Sequence, residues 1–482
     1  MNLYPSFARF SLFLLLVSFS HVHVHAANEL PTLGNASSNI ITLEKERQLG
    51  SAWLAALRGQ VKTYEQPVVE EYLEQLVYSL APNSAVVDRE FRFVVLDSAQ
   101  LNAFAVPGSI VGINAGLFLH AGTEQEFASV MAHELAHLSQ RHYARRLEKQ
   151  ELSTPLTLAG VLASVVIAAT TGAEAGIATL ASTQALSVEK SLSYSRQNEE
   201  EADRIGIETL YESGYNPRSM PVMFERMLKN ARLQGNTPPE YLSTHPLSEN
   251  RVADTRNRAE QYTQKTYADS LLFHISKAIV TADYAESKSV AANYYRSVIT
   301  NGKHKNLDAA KFGLAYALLQ ESPDESNALL DDLHKKHPGI IAISLFLAES
   351  EYLSGAKDEA IERLTELLEF NPNNYSISLL LAELYDLEKR YEDAEDLLIK
   401  LTRTRPENPL VWYMLAEIHG QAGSIVSLHQ ARAQFFLLTG RLERAIEQLE
   451  FGIKKAKPNS RAASIMKGQL DKAYDLKENP PF

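Results

Sequence analysis

Pro338, Pro372 and Pro406 stand 34 residues apart, the same interval separates Ala348, Ala382 and Ala416, and Ala360 and Ala394 keep it too. One kind of unit satisfies such a period: a helix–turn–helix whose apolar face is buried only when the next copy stacks on it. A plain helical bundle has no reason to repeat three kinds of position at one interval. The spacing predicts an all-α solenoid over residues 268–482. Gly440–Ala445, with Pro458 beyond it, reads as a further unit after an irregular insertion, giving about four repeats.

A 34-residue period is that of tetratricopeptide repeats, whose stacked arrays offer a concave face to peptides or partner proteins. The chain upstream, residues 27–265, reads differently. Helical patterns near Leu43–Leu57 and Pro67–Leu80 precede two strand-like runs, Phe91–Leu96 and Ser109–Asn114, the second entered through a Pro107–Gly108 turn signal. Thr123 and Glu126 form a capping pair that opens a helix expected to run to Lys149. Two strands among long helices make this part α+β, mostly helical, with a small sheet. Pro155–Leu186 is nearly uncharged. Its glycines and Glu174 favour a buried hairpin or a lid over a membrane span, with a surface that touches membrane or unfolded client as a third possibility.

Composition excludes several classes. The net charge is −12, with no basic stripe, so nucleic acid is not an expected partner. The absence of cysteine rules out disulfides, thiolate ligands and a lipid-modified N-terminal cysteine. Residues 1–26 read as a cleavable signal peptide: Arg9, the apolar stretch Phe10–Ser18, and a small residue at Ala26. The mature chain is therefore expected to be exported, to the periplasm in a Gram-negative cell. His21, His23 and His25 fall in the part expected to be removed.

The chemistry gathers around His133-Glu134-Leu135-Ala136-His137. A helix advances about 100° per residue, so the two histidines stand about 40° apart on consecutive turns and can reach one ion. Glu134 lies at the edge of that face. Two imidazole ligands, an open position for water and a carboxylate to take its proton suit a zinc hydrolase. Glu134 would pass that proton on to a leaving amine. Val130, Met131, Leu135 and Leu138 should bury the helix, and a buried histidine pair needs partners. Among Glu199, Glu200 and Glu201, three consecutive carboxylates cannot all face one point. Glu199 shares a face with Asp203 one turn on, so Glu199 is chosen as the oxygen ligand. Asp203 becomes the acceptor that orients a ligating imidazole, or a proton donor in the reaction. His142, about 140° around the helix from His137, should point away from the metal. Trp53 and Trp412 read as ordinary core or repeat residues.

The His133–His137 motif followed by Glu199-x-x-x-Asp203 resembles the gluzincin family that contains HtpX and the CAAX prenyl proteases. Asn102–Gly108 and Gly116-Leu117 resemble its segment ahead of the metal helix, which presents a substrate-binding edge. Thr244-His245-Pro246 with Arg251 resembles its tail motif. The resemblance implies a metalloprotease domain holding one Zn2+ on His133, His137 and Glu199, with Glu134 as base, and it favours Glu199 over Glu200. His245 is then either a fourth ligand that keeps the enzyme latent or a group that polarises the substrate carbonyl. Unlike HtpX and the prenyl proteases, the chain lacks clear transmembrane helices. Its layout resembles periplasmic members of the family, and this implies an endopeptidase in quality control and assembly of outer-membrane β-barrel proteins. Its clients would be unfolded or stalled outer-membrane proteins, and the barrel-assembly complex would bind the repeats. The enzyme would be soluble or peripheral to the outer membrane. The alternative is a repeat-driven chaperone or adaptor with minor or latent proteolysis.

Overall fold

The computed structural model describes residues 42–149, 195–233 and 240–479. The leader at residues 1–26 and the apolar stretch Pro155–Leu186 lie outside the described residues. The described part opens with two helices, α1 (Leu43–Gln60) and α2 (Pro67–Leu80). Thr42 caps α1 by accepting from the Lys45 N–H, and Pro67 takes the first turn of α2, where a missing N–H costs nothing. Leu49, Trp53, Leu54 and Leu57 form the buried face of α1, and Val69, Leu73, Leu76, Val77 and Leu80 that of α2.

The sheet has three strands: β1 (Arg92–Leu96), β2 (Ala103–Val106) and β3 (Ile110–Asn114) in the order β1–β3–β2. β3 runs parallel to β1 and antiparallel to β2. β2 has no strand signature of its own, because two of its four residues are alanines. Its pairing follows from the turn Pro107–Ser109, where Gly108 and Ser109 take φ of 82° and 57° and send the chain back on itself. The Phe104 ring of β2 then lies across Gly112 of β3, where an added Cβ would meet it at 2.1 Å.

α3 (Gly116–His120) leads into α4 (Glu124–Ser139). Thr123 caps α4 as predicted, accepting from the Glu126 N–H at 3.2 Å. The Glu126 carboxylate, however, accepts from the Gly122 N–H at 2.7 Å and pairs with Arg226. The helix does not continue to Lys149. Arg141 adopts φ 47°, its N–H turns back to the Leu138 carbonyl, and its guanidinium is held by Glu46 at 2.6 Å. A new helix, α5 (His142–Lys149), starts there in another direction. α6 (Arg196–Glu212), α7 (Ser219–Leu233), α8 (Glu240–Thr244) and α9 (Glu249–Glu260) complete this half. Gly206 of α6 lets the two backbones approach, since a Cβ there would stand 3.3 Å from the His133 Cα.

Twelve helices follow among the described residues: α10 (Leu271–Asp283), α11 (Lys288–Thr300), α12 (Leu307–Leu318), α13 (Pro323–Lys336), α14 (Ile341–Leu353), α15 (Lys357–Phe370), α16 (Tyr375–Leu387), α17 (Tyr391–Thr404), α18 (Pro409–Gln421), α19 (Ile425–Leu438), α20 (Leu442–Lys455) and α21 (Arg461–Glu478). The alanines at 348, 382, 416, 360 and 394 are all buried, where helices cross. The turns inside three successive units place a left-handed residue at the same position, Gly355, Lys389 and Gly423, with φ of 96°, 59° and 73°. The array is longer than about four repeats, because α10–α13 stack without the proline and alanine markers. The irregular insertion expected before Gly440 is a regular helix, α19. No helix among the described residues is long and apolar enough to cross a membrane.

The array is fastened to the first half by specific polar contacts. Glu71 of α2 accepts from the Ser376 hydroxyl at 2.6 Å and from the Tyr375 N–H at 3.1 Å, acting as an N-terminal anchor for α16. Glu74 holds Arg405 through two bonds of 2.5 and 2.6 Å. Glu124, at the start of α4, accepts from the Ser270 hydroxyl at 2.7 Å where α10 begins. Gly59 and Gly440 let α1 touch the turn after α19, since a Cβ on either would stand 2.7 Å from a facing carbonyl oxygen.

Candidate metal centre

Three separate segments converge on one point. α4 brings His133, Glu134 and His137, α6 brings Glu199 and Asp203, and the turn between α8 and α9 brings His245. His133, His137, Glu199 and His245 are buried, and each offers a ligand atom within 4.8 Å of the others. The Nε2 atoms of His133 and His137 lie 3.0 Å apart. Glu199 Oε1 is 3.4 Å from His137 Nε2 and 3.1 Å from His245 Nδ1, while Glu199 Oε2 is 3.6 Å from His133 Nε2. Three imidazole nitrogens and one carboxylate match zinc in ligand type and number.

The surroundings orient these groups. Asp203 Oδ1 stands 3.0 Å from His133 Nδ1. Arg251 of α9 lies along both acids: Nε and Nη2 donate to the two Asp203 oxygens at 2.8 Å each, and Nη1 stands 2.7 Å from Glu199 Oε2. Nη1 also donates to the Pro246 carbonyl at 2.7 Å, tying down the loop that carries His245. The carboxylate partner of Arg251, unread in the sequence, is thus Asp203 together with Glu199.

Burial opposes charge on His133, yet its hydrogen bonds to the Asp203 and Glu199 carboxylates prevail and lift its pKa to about 9. A divalent ion can satisfy that preference in place of the proton. Burial pushes His137 well below the usual histidine range, which leaves the imidazole neutral as a ligand must be. Glu199 is also buried, but His245, His133 and His137 hold its carboxyl well below the ordinary range. Burial raises Glu134, partly offset by His245 and His133.

Two neighbours escaped the sequence reading. Tyr241 donates to Glu134 Oε1 at 3.2 Å and stacks on the His245 ring, with centroids 4.5 Å apart. Its only signal is its position one turn ahead of His245. His142 corrects an expectation outright. It does not point away: it is buried, and its Nδ1 lies 3.0 Å from His137 Nδ1. The projection of about 140° assumed an unbroken helix, and the left-handed Arg141 breaks it. His142 Nε2 is in turn 3.0 Å from Glu201 Oε2. Glu200 remains exposed, so the three consecutive glutamates have three different environments.

A motif helix facing a carboxylate helix, with histidine ligands and an adjacent glutamate, defines the class of a zinc peptidase site. Residues 67–259, which contain the whole centre, match the family model of Peptidase family M48, and residues 352–418 match that of the tetratricopeptide repeat. A chain from Vibrio cholerae is 37% identical over 318 residues, 64% of each chain. The Beta-barrel assembly-enhancing protease of Escherichia coli strain K12 is 35% identical over 315 residues, 65% of this chain and 64% of that one. Mitochondrial metalloendopeptidase OMA1 of Arabidopsis thaliana is 32% identical over 158 residues, 33% of this chain and 29% of that one. The chain therefore spans about 64% of the length of the first two relatives.

Proposed function

We propose that this chain is a zinc-dependent endopeptidase held latent by His245, with residues 27–265 as its catalytic domain and 268–482 as its repeat domain. The carrying observation is the buried set His133, His137, Glu199 and His245 beside the Glu134 carboxylate. His133, His137 and Glu199 would hold the metal, which supplies Lewis acidity to a water and to the peptide carbonyl. Glu134, made more basic by burial, takes the proton of the attacking water and delivers it to the leaving amine. Tyr241 holds that carboxylate through its hydroxyl. Asp203, 3.0 Å from His133 Nδ1, would keep that imidazole in the tautomer whose Nε2 is free to hold the metal. β2, at the sheet edge beside α4, offers its outer ladder to an extended substrate.

A four-coordinate ion with three protein ligands keeps one position for water, and a fourth ligand removes it. His245 fits that fourth place, so the resting enzyme turns over slowly until its loop moves. The name of one relative, Beta-barrel assembly-enhancing protease, supports β-barrel proteins undergoing assembly as clients. In this reading they are outer-membrane proteins, and the repeats bind the barrel-assembly complex. Export by the segment 1–26 to the periplasm, soluble or peripheral to the outer membrane, completes the reading.

The test is degradation of an unfolded model protein by the full mature chain, beside Glu134→Gln, His245→Ala and a chelated sample. Glu134→Gln should lose about 10²–10⁴-fold in rate with its zinc retained, and His245→Ala should cleave faster than wild type. Undiminished cleavage by Glu134→Gln would sink the mechanism. Assembly-promoting activity that survives in Glu134→Gln would favour the chaperone or adaptor reading instead.

A further inference from the structure

We propose that Glu201, His142 and His137 form a hydrogen-bonded relay that fixes which nitrogen of His137 faces the metal, so that His142 and Glu201 are positioning residues of the centre. The inference rests on the metal reading above and extends it to two side chains outside the ligand set.

A neutral imidazole has one N–H and one lone pair, and a contact at one nitrogen decides the role of the other. His137 Nε2 faces His133 Nε2 at 3.0 Å and Glu199 Oε1 at 3.4 Å, which makes Nε2 the ligand atom. A ligating Nε2 carries no proton, so the proton of His137 sits on Nδ1. That N–H meets His142 Nδ1 at 3.0 Å, and the His142 atom has to accept. The proton of His142 therefore sits on Nε2 and is donated to Glu201 Oε2 at 3.0 Å, where a carboxylate can only accept. Arg145 Nη1 donates to the same oxygen at 3.2 Å and keeps the carboxylate in place. A proton on His142 Nδ1 instead would set two N–H groups against each other.

The backbone is shaped for this contact. Arg141, with φ 47°, ends α4 two residues after Ser139 and turns His142 back over His137. The two ligand histidines of α4 thus have matching supports: His133 meets the Asp203 carboxylate directly at 3.0 Å, and His137 meets Glu201 through an interposed imidazole. Orienting partners of this kind govern affinity and ligand basicity, and removing one typically weakens metal binding about 10–100-fold.

The experiment measures zinc affinity of the full mature chain by competition with a chromophoric chelator. Cobalt substitution is followed by visible absorption, and melting of the metal-free proteins is recorded alongside. His142→Phe should bind zinc about 10–100-fold more weakly and change the cobalt spectrum. His142→Asn, whose side-chain oxygen hangs from the same Cγ as the lost Nδ1, should recover most of the affinity. Glu201→Ala, at a position 29% exposed and so tolerant of truncation, should lose severalfold. Wild-type affinity in Glu201→Ala, or in a folded His142→Phe, overturns the relay alone. So does an Asn variant as weak as the Phe variant. Wild type that binds no zinc overturns the metal reading and the relay with it.

Discussion

Helix α4 at the metal centre and helix α17 in the repeat array are built on opposite plans. Every residue of α4 except Leu138 is buried, including Glu124, Gln125, Glu126, His133, Glu134 and His137. α17 buries only Ala394, Leu398 and Leu401, one stripe at helical spacing. A one-sided helix asks only that something apolar lie alongside, and in a solenoid that neighbour is the next stretch of chain. A helix buried all round has no periodic stripe to read. Each of its polar groups needs a particular partner, and those partners come from α6, α7, α8 and the start of α10. Stability in the repeats should thus depend on volume, and at the centre on charge pairing.

The sharpest way to break this contrast is to remove one charge from the centre. Arg251 is buried against Asp203 and Glu199, so Arg251→Met leaves two acids without their cation. Loss of one partner from a buried ion pair costs about 3–5 kcal/mol. Urea unfolding of the metal-free protein should show it, and added zinc should return part of the loss by binding the folded state. A change under 1 kcal/mol would mean that the acids are wetter than their burial implies.

The repeat half should answer to size instead. Ala382→Leu adds three carbons to a site with no exposed surface and should cost about 1–3 kcal/mol. The same change at the exposed Glu383 should be nearly silent in the same urea titration. If both variants unfold alike, the small-residue period is not a packing constraint.

The remaining effect, set by pH rather than by volume, lies where the halves meet. Glu70 lines a cleft of about 750 Å³ with Arg58, Glu74 and Arg405, and burial raises its carboxyl to about 8. The folded pKa is above the unfolded one, so the folded state binds more protons between about 4.5 and 8. Stability from this group is present at low pH and is lost as pH rises through that window. Glu70→Gln should be more stable than wild type at pH 8.5 and no more stable at pH 5, by thermal melting at each pH. An equal gain at both would assign the effect to packing.

What the sequence determined by itself is what short-range geometry controls. A repeat every 34 residues forces stacked helix pairs. Two histidines four residues apart face one ion from one helix, and Thr123 starts that helix by its own cap. Glu199 and Asp203 share a face for the same reason. The tertiary structure alone decided what met that face. Neither the pairing of Arg251 with both acids nor the bond from Tyr241 to Glu134 has any periodic trace, because each joins residues far apart in the chain. β2 took its strand conformation from β3 and a left-handed turn rather than from its own alanines. His142 was misplaced by the same helical rule that placed His137, since one left-handed residue, Arg141 held by Glu46 from another helix, ended the helix between them.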